Sequence, residues 1–227
     1  MSTDISKLCA DFLRAHVLET TGTKLKATHA RELIAAFFGY KSHAAQLAEA
    51  TYPLSEIEDA YILVPDIPLM DQRKESLQGL PEELPNSQEL ATALVSFLED
   101  EQLFGGVAWI YSSLSEYVME VLLPKEDLVI SDQLSGVMAE TNAYFDEPYY
   151  EEATVHEDDE EVTVVAVGQY NGTNHEDKPF CGDCIDITVR VELYRIAGRT
   201  AFMTPDMSPG GELNDDWVDP ELRYGKP

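Results

Sequence analysis

Between residues 185 and 194, apolar and polar side chains alternate without a break. Ile185, Ile187, Val189, Val191 and Leu193 take one parity; Asp186, Thr188, Arg190, Glu192 and Tyr194 take the other. Successive side chains of a strand point to opposite faces. The run therefore predicts a β-strand with one buried face and one wet face. A strand half-buried in this way needs partners. Residues 162–170 are rich in β-branched side chains and predict a second strand, with Asn171-Gly172 as a turn signal after it. Ala197-Gly198-Arg199 predicts another turn, and 200–203 a short returning strand.

The N-terminal part has the other period. Ile5, Leu8, Cys9, Phe12, Leu13, Val17 and Leu18 recur at helical spacing, which predicts an amphipathic helix over 4–20. Thr28 is placed to cap a second helix through Phe38, Gly39 to end it, and Ser42 to cap a third helix to about Ala50. Pro53, Pro65, Pro68, Pro81 and Pro85 then keep any helix in 51–86 short. Asn86 with Glu89 predicts a capping box for a helix over 87–103, broken by Gly105-Gly106. Residues 107–111 suggest a short strand. A helix from Ser113 is expected to stop at Pro124, and another to cover 132–145. Helices first and strands last predict an α+β fold. The expected layout is a small helical domain at 1–50 and a Pro-rich connecting segment at 51–86. An acidic α+β domain at 87–203, with a short and largely antiparallel sheet, precedes an extended tail at 204–227.

Charge follows this order. The chain of 227 residues carries a formal net charge of −28. Residues 1–50 hold six Lys/Arg against five Asp/Glu, and residues 51–227 hold nine against 38. Hydrophobic residues make up 44%, enough for a packed core, so the acidity does not imply disorder. An acidic body repels DNA, RNA and anionic membranes, and attracts basic surfaces. A whole-chain solubility adaptation would have made the head acidic as well. No apolar run reaches the roughly 18–20 residues that span a bilayer, no signal peptide is evident at the N-terminus, and three cysteines make no even disulfide framework. These features predict a cytoplasmic protein.

Residues 146–161 read as a solvated acidic loop. Glu151, Glu152, Glu157, Asp158, Asp159, Glu160 and Glu161 are its candidate interaction residues. Their spacing lacks the alternate oxygens around a glycine that a calcium loop needs. Cys181-x-x-Cys184, with His175 upstream, has the shape of half a zinc site, and His156 is a conceivable fourth ligand. A complete second ligand pair is missing, so no cofactor is expected, with zinc as the alternative. No nucleophile elbow, zinc-protease motif or phosphate-binding loop occurs.

Residues 30–50 have helix–Gly–helix spacing, with small Ala35, Ala44 and Ala45 at the crossing. As a helix-turn-helix they would offer Lys41, His43 and Gln46 to DNA. The would-be reading helix has no Arg and ends in Glu49, and phosphate contacts supply most of the affinity of such proteins, so direct DNA binding is disfavoured. Ala30, Leu33, Ile34, Phe38, Gly39, Tyr40, Lys41, Ser42 and Leu47 resemble the small helical module described as glyoxalase-related in bacterial and mobile-element proteins. That resemblance implies a helical accessory domain. It does not imply glyoxalase chemistry, which needs a metal held by His and Glu on paired βαβββ units.

These readings converge on a non-enzymatic protein that binds a basic protein surface. The sharpest form is a DNA mimic that inhibits a nucleic-acid-binding enzyme or defence complex. The alternatives are a helix-turn-helix regulator acting through 28–50, or an acidic metal-binding protein or enzyme. The sequence leaves the partner's identity and the oligomeric state open.

Overall fold

A computed structural model describes residues 4–110, 113–141, 143–158, 161–173 and 183–214. The fold class is α+β, with helices dominating the first half and strands the second. The chain forms two compact units, each assembled from two stretches of sequence: Met1–Ser113 with Leu193–Pro205, and Leu114–Glu192 with Asp206–Pro227.

The first unit is mainly helical. Its first helix, α1 (Ile5–Thr21), starts on Asp4, whose side chain accepts from the Lys7 N–H, and ends at Gly22 in a left-handed conformation. Ile5, Cys9, Leu13 and Val17 are buried, whereas Leu8 and Leu18 are exposed, so the apolar stripe is narrower than the sequence period suggests. Helix α2 (Ala27–Phe37) begins one residue before Thr28, with Lys26 at the N-cap position and no side-chain cap. Gly39 does end it. The Gly39 N–H reaches the Ala36 carbonyl at 2.9 Å and the Tyr40 N–H reaches Ala35 at 2.8 Å, a Schellman pair closed by a residue at φ +81°. A Cβ at position 39 would lie 2.9 Å from Cβ of Arg199, so both conformation and space require glycine. Ser42 caps the short α3 (His43–Ala48) as expected, accepting from the Ala45 N–H.

The proline-rich stretch joins this unit. After a 3-10 turn (Leu54–Asp59) and the two-residue strand β1 (Ile62–Leu63) comes α4 (Ile67–Ser76), a ten-residue helix with Pro68 in its first turn. Arg73 on α4 donates through Nε to Glu32 on α2 at 3.0 Å. Helix α5 (Ser87–Asp100) carries the expected Asn86–Glu89 capping box. It packs on α1, with the Phe12 and Phe97 rings stacked at 4.3 Å. These contacts explain why the units do not divide at residues 50 and 86. The α1 and α2 faces are too apolar to stand alone, and α4 and α5 cover them. Strand β2 (Val107–Ala108), shorter than the expected 107–111, runs parallel to β1.

The second unit opens with α6 (Leu114–Tyr117), a π turn (Val118–Leu122), α7 (Leu123–Lys125) and α8 (Asp127–Ala139). Pro124 therefore does not stop the helical run. It has no N–H for the Glu120 carbonyl, and the wider turn, in which the Leu123 N–H reaches Val118, absorbs the defect. Helix α8 starts five residues before the expected position and ends six before it.

An antiparallel sheet follows, built from β3 (Tyr144–Phe145), β4 (Tyr149–Glu157), β5 (Glu161–Thr173), β6 (Cys184–Ala197) and β8 (Asp206–Leu213). Three sequence expectations change here. The acidic stretch is largely the strand β4, not a loop, because it pairs with β5 from Tyr149↔Gln169 to Glu157↔Val162. Asn171-Gly172 lies inside β5: Gly172 pairs with Phe145, and a Cβ there would come within 2.6 Å of Ala143 Cβ. The described start of the expected tail is the strand β8, paired with β6 from Ile185↔Leu213 to Glu192↔Asp206. The alternation in β6 appears as anticipated, with Ile185, Ile187, Val189 and Val191 buried. The last residues of β6 belong to the first unit and pair with β7 (Ala201–Phe202), which also pairs antiparallel with β1.

Candidate functional site

The pleat of the second unit sorts its side chains into two sets. On the inner face, Ile185, Ile187, Val189 and Val191 of β6 lie beside Val162, Val164 and Ala166 of β5, all of them buried. Leu134 of α8 approaches Gly211 of β8, where a Cβ would lie 3.0 Å from its Cδ2. Tyr170 is buried, and its hydroxyl donates to Asp127 Oδ1 at 2.8 Å. Burial and the neighbouring Asp127 push the Tyr170 phenol well above its ordinary range, so it stays a protonated donor.

The outer face is acidic. The β6–β8 register places Asp186 directly opposite Glu212 and Glu192 directly opposite Asp206. Like charges facing across a strand pair are unfavourable. Among the described residues, hydrogen bonds relieve one member of each pair. Asp186 accepts from Gln169 Nε2 at 2.9 Å and from the Asn214 amide at 2.9 Å. Glu192 accepts from Arg190 Nε at 2.8 Å. The Arg190 guanidinium also donates to Thr163 at 3.1 Å and lies 3.8 Å from Glu161. Arg190 is the one Lys or Arg that the described strands of this unit hold. Among the described residues six carboxylates thus share the outer face: Asp186, Glu192, Asp206, Glu212, Glu161 and, on β4, Glu152 opposite Val167.

The acidic residues singled out from sequence divide differently. Glu151 occupies the irregularity in β4 between Tyr150 and Glu152. Glu152 and Glu157 are an odd number of residues apart on one strand, so they point to opposite faces. The Asp158 carboxylate accepts from the Glu161 N–H, at the start of β5, at 2.8 Å. Asp159 and Glu160 lie outside the described residues. The described part of the run is therefore largely an edge strand, and of its described acids Glu152 and Glu161 join the outer face. Asp206 and Glu212 escaped sequence reading because Pro209-Gly210-Gly211 resembles a linker. The signal was present as a period of two: Asp206, Ser208, Gly210 and Glu212 against Met207, Pro209, Gly211 and Leu213.

In the first unit, Lys41 is exposed and His43 half-buried, but Gln46 is only 8% exposed and its Oε1 accepts from Ser6 at 3.3 Å. The three do not form one exposed reading edge, and α3 is only six residues long. Cys184 is a free thiol, half-buried, and burial with Asp186 nearby raises its pKa. Cys181 and His175 lie outside the described residues. Among the described residues no group of three or more His, Cys, Asp or Glu converges to hold a metal ion. No helix among them is long and apolar enough to cross a membrane.

Comparison with known proteins returns nothing: no family model, no curated protein and no solved structure matches the chain.

Proposed function

We propose that this chain is a non-enzymatic interaction protein whose second unit presents an ordered acidic sheet face to a basic protein surface. One observation carries the reading: the two acid-against-acid cross-strand pairs, Asp186–Glu212 and Glu192–Asp206, on one face. A fold gains nothing from such pairs in isolation, because the repulsion works against pairing of β6 with β8. A cationic partner converts that repulsion into attraction. The pairs sit six residues apart along β6, roughly 20 Å at strand rise, so the partner is a surface and not a single ion. Residues held on an antiparallel sheet keep that spacing without further loss of entropy on binding.

The specific form of the proposal is inhibition of a nucleic-acid-binding enzyme or complex by occupation of its phosphate-binding groove. Duplex DNA presents about one charge per 1.7 Å of axis, and carboxylates fixed on a scaffold offer the same sign to the same basic residues. Cys9 is a buried free thiol, which fits a reducing, cytoplasmic setting.

The test uses the full chain, immobilised, with host lysate passed over it at about 0.05 M and about 0.5 M salt. The expected result is retention of basic nucleic-acid-binding proteins that salt and added duplex DNA both displace. The variant Asp206→Asn/Glu212→Gln should lose most of that retention. Retention of neutral or acidic proteins only, or indifference to salt, ends the proposal.

A further inference from the structure

A cleft of about 390 Å³ opens in the second unit where the π turn meets the start of β4. Its chemistry is one-sided. Glu120, Asp127 and Glu147 bring three carboxylates to it, and among the described residues no lysine or arginine lines it. Met119, Pro124 and Pro148 supply apolar wall, and Tyr149 and Tyr150 supply aromatic rings. The Tyr150 hydroxyl is buried and has no hydrogen-bond partner among the described residues, which leaves an oxygen able to accept from a ligand. Burial, with Asp127 nearby, pushes that phenol up to about 12, so it remains neutral. The π turn is the second sign of a built site. Such turns gather at functional positions, and this one sets Met119 and Glu120 into the cleft wall.

Three carboxylates invite a cation, but the described carboxylates nowhere converge in a group that would chelate a metal. Carboxylates spread around apolar and aromatic walls suit a cation with an apolar body. A lysine side chain has that form, a compact ammonium on a four-carbon stem. The stem would pack on Met119, Pro124 and Pro148, and the ammonium would meet the carboxylates, the Tyr150 hydroxyl and the Tyr149 ring.

We propose that this cleft is the anchor site for a lysine side chain of the basic partner. The proposal rests on the interaction-protein reading above and adds a defined subsite to it.

Full-chain protein labelled with nitrogen-15 is titrated with Nα-acetyl-lysine methylamide and, in parallel, with the norleucine analogue, which keeps the stem and lacks the charge. The expected result is saturable shifts of amides in 119–127 and 147–150, with a dissociation constant on the order of 1 mM, from the lysine probe alone. Tyr149→Ala and Glu147→Gln should each weaken binding about two- to fivefold, and Tyr149→Phe should leave it unchanged. Equal response to the norleucine probe, or no saturable response at these amides, overturns the site. Spermidine saturating the same amides at tenfold lower concentration overturns the lysine assignment in favour of a free polyamine. If salt-sensitive capture of a basic partner is unaffected by Tyr149→Ala, the anchor role fails while the wider reading stands. If the lysine probe binds as described but no basic partner is captured, the wider reading fails while the cleft stands as a cation site.

Discussion

The two units solve the charge problem in opposite ways. The first holds 17 Asp/Glu against 10 Lys/Arg, and several of its charges are paired: Glu32 with Arg73, Asp11 with Arg14, Glu49 with Arg199. The second is smaller and holds 26 Asp/Glu against five Lys/Arg. Its outer face sets acid opposite acid and relieves the repulsion with one arginine and two amides. The first unit thus has the charge pattern of a scaffold selected for stability. The second keeps a pattern that works against its own sheet, as the proposed interaction surface would.

The comparison breaks most visibly through the core of the first unit. Leu13 is fully buried in the core that α1 shares with α2 and α5, so Leu13→Ala should lower that unit's unfolding free energy by about 2–5 kcal/mol. Chemical denaturation should show the loss at low and high salt alike. A loss that salt largely repairs would mean the first unit is also held near an electrostatic limit. Gly39→Ala comes next, at about 1–3 kcal/mol, from the left-handed backbone and the 2.9 Å approach of Arg199 Cβ. A neutral result at this position would show that the α2 terminus relaxes.

A pH experiment separates the units further. Cys9 is buried in α1, and burial pushes its thiol up to about 12 from 9.0. The folded state holds this proton more tightly than the unfolded state, so the linked stability is intact below pH 9 and falls as pH rises toward 12. The slope is at most about 1.4 kcal/mol per pH unit. Cys9→Ala should flatten that part of the stability profile. An unchanged slope in the variant would assign the alkaline loss to other groups.

What could be read from the chain follows the same division. Local signals held wherever a residue's role is set by its neighbours in sequence. The Asn86–Glu89 box, the Ser42 cap, Gly39 and the alternation in β6 are of this kind. Failures came where tertiary partners decide. Pro124 reads as a stop unless a π turn absorbs it, and Asn171-Gly172 reads as a turn unless β3 lies against Gly172. The candidate site suffered most. A run of neighbouring acids draws the eye to 157–161, whereas a sheet face collects acids distant in sequence, from Glu152 to Glu212. Their common face depends on register, which composition does not encode.

The smallest expected effect tests the comparison most directly, because its sign is unusual. Asp206→Asn keeps the shape of the side chain and removes one charge from the Glu192–Asp206 pair. A surface substitution ordinarily changes stability little or for the worse. Here relief of a cross-strand like-charge contact should raise the second unit's stability by about 0.2–1 kcal/mol at low salt. The gain should shrink as salt screens the pair. The same variant should bind a basic partner more weakly, so stability and binding move in opposite directions. Loss of stability on removing this charge would show that Asp206 supports the sheet through its own hydrogen bonds, and the outer face would then be explained by folding alone.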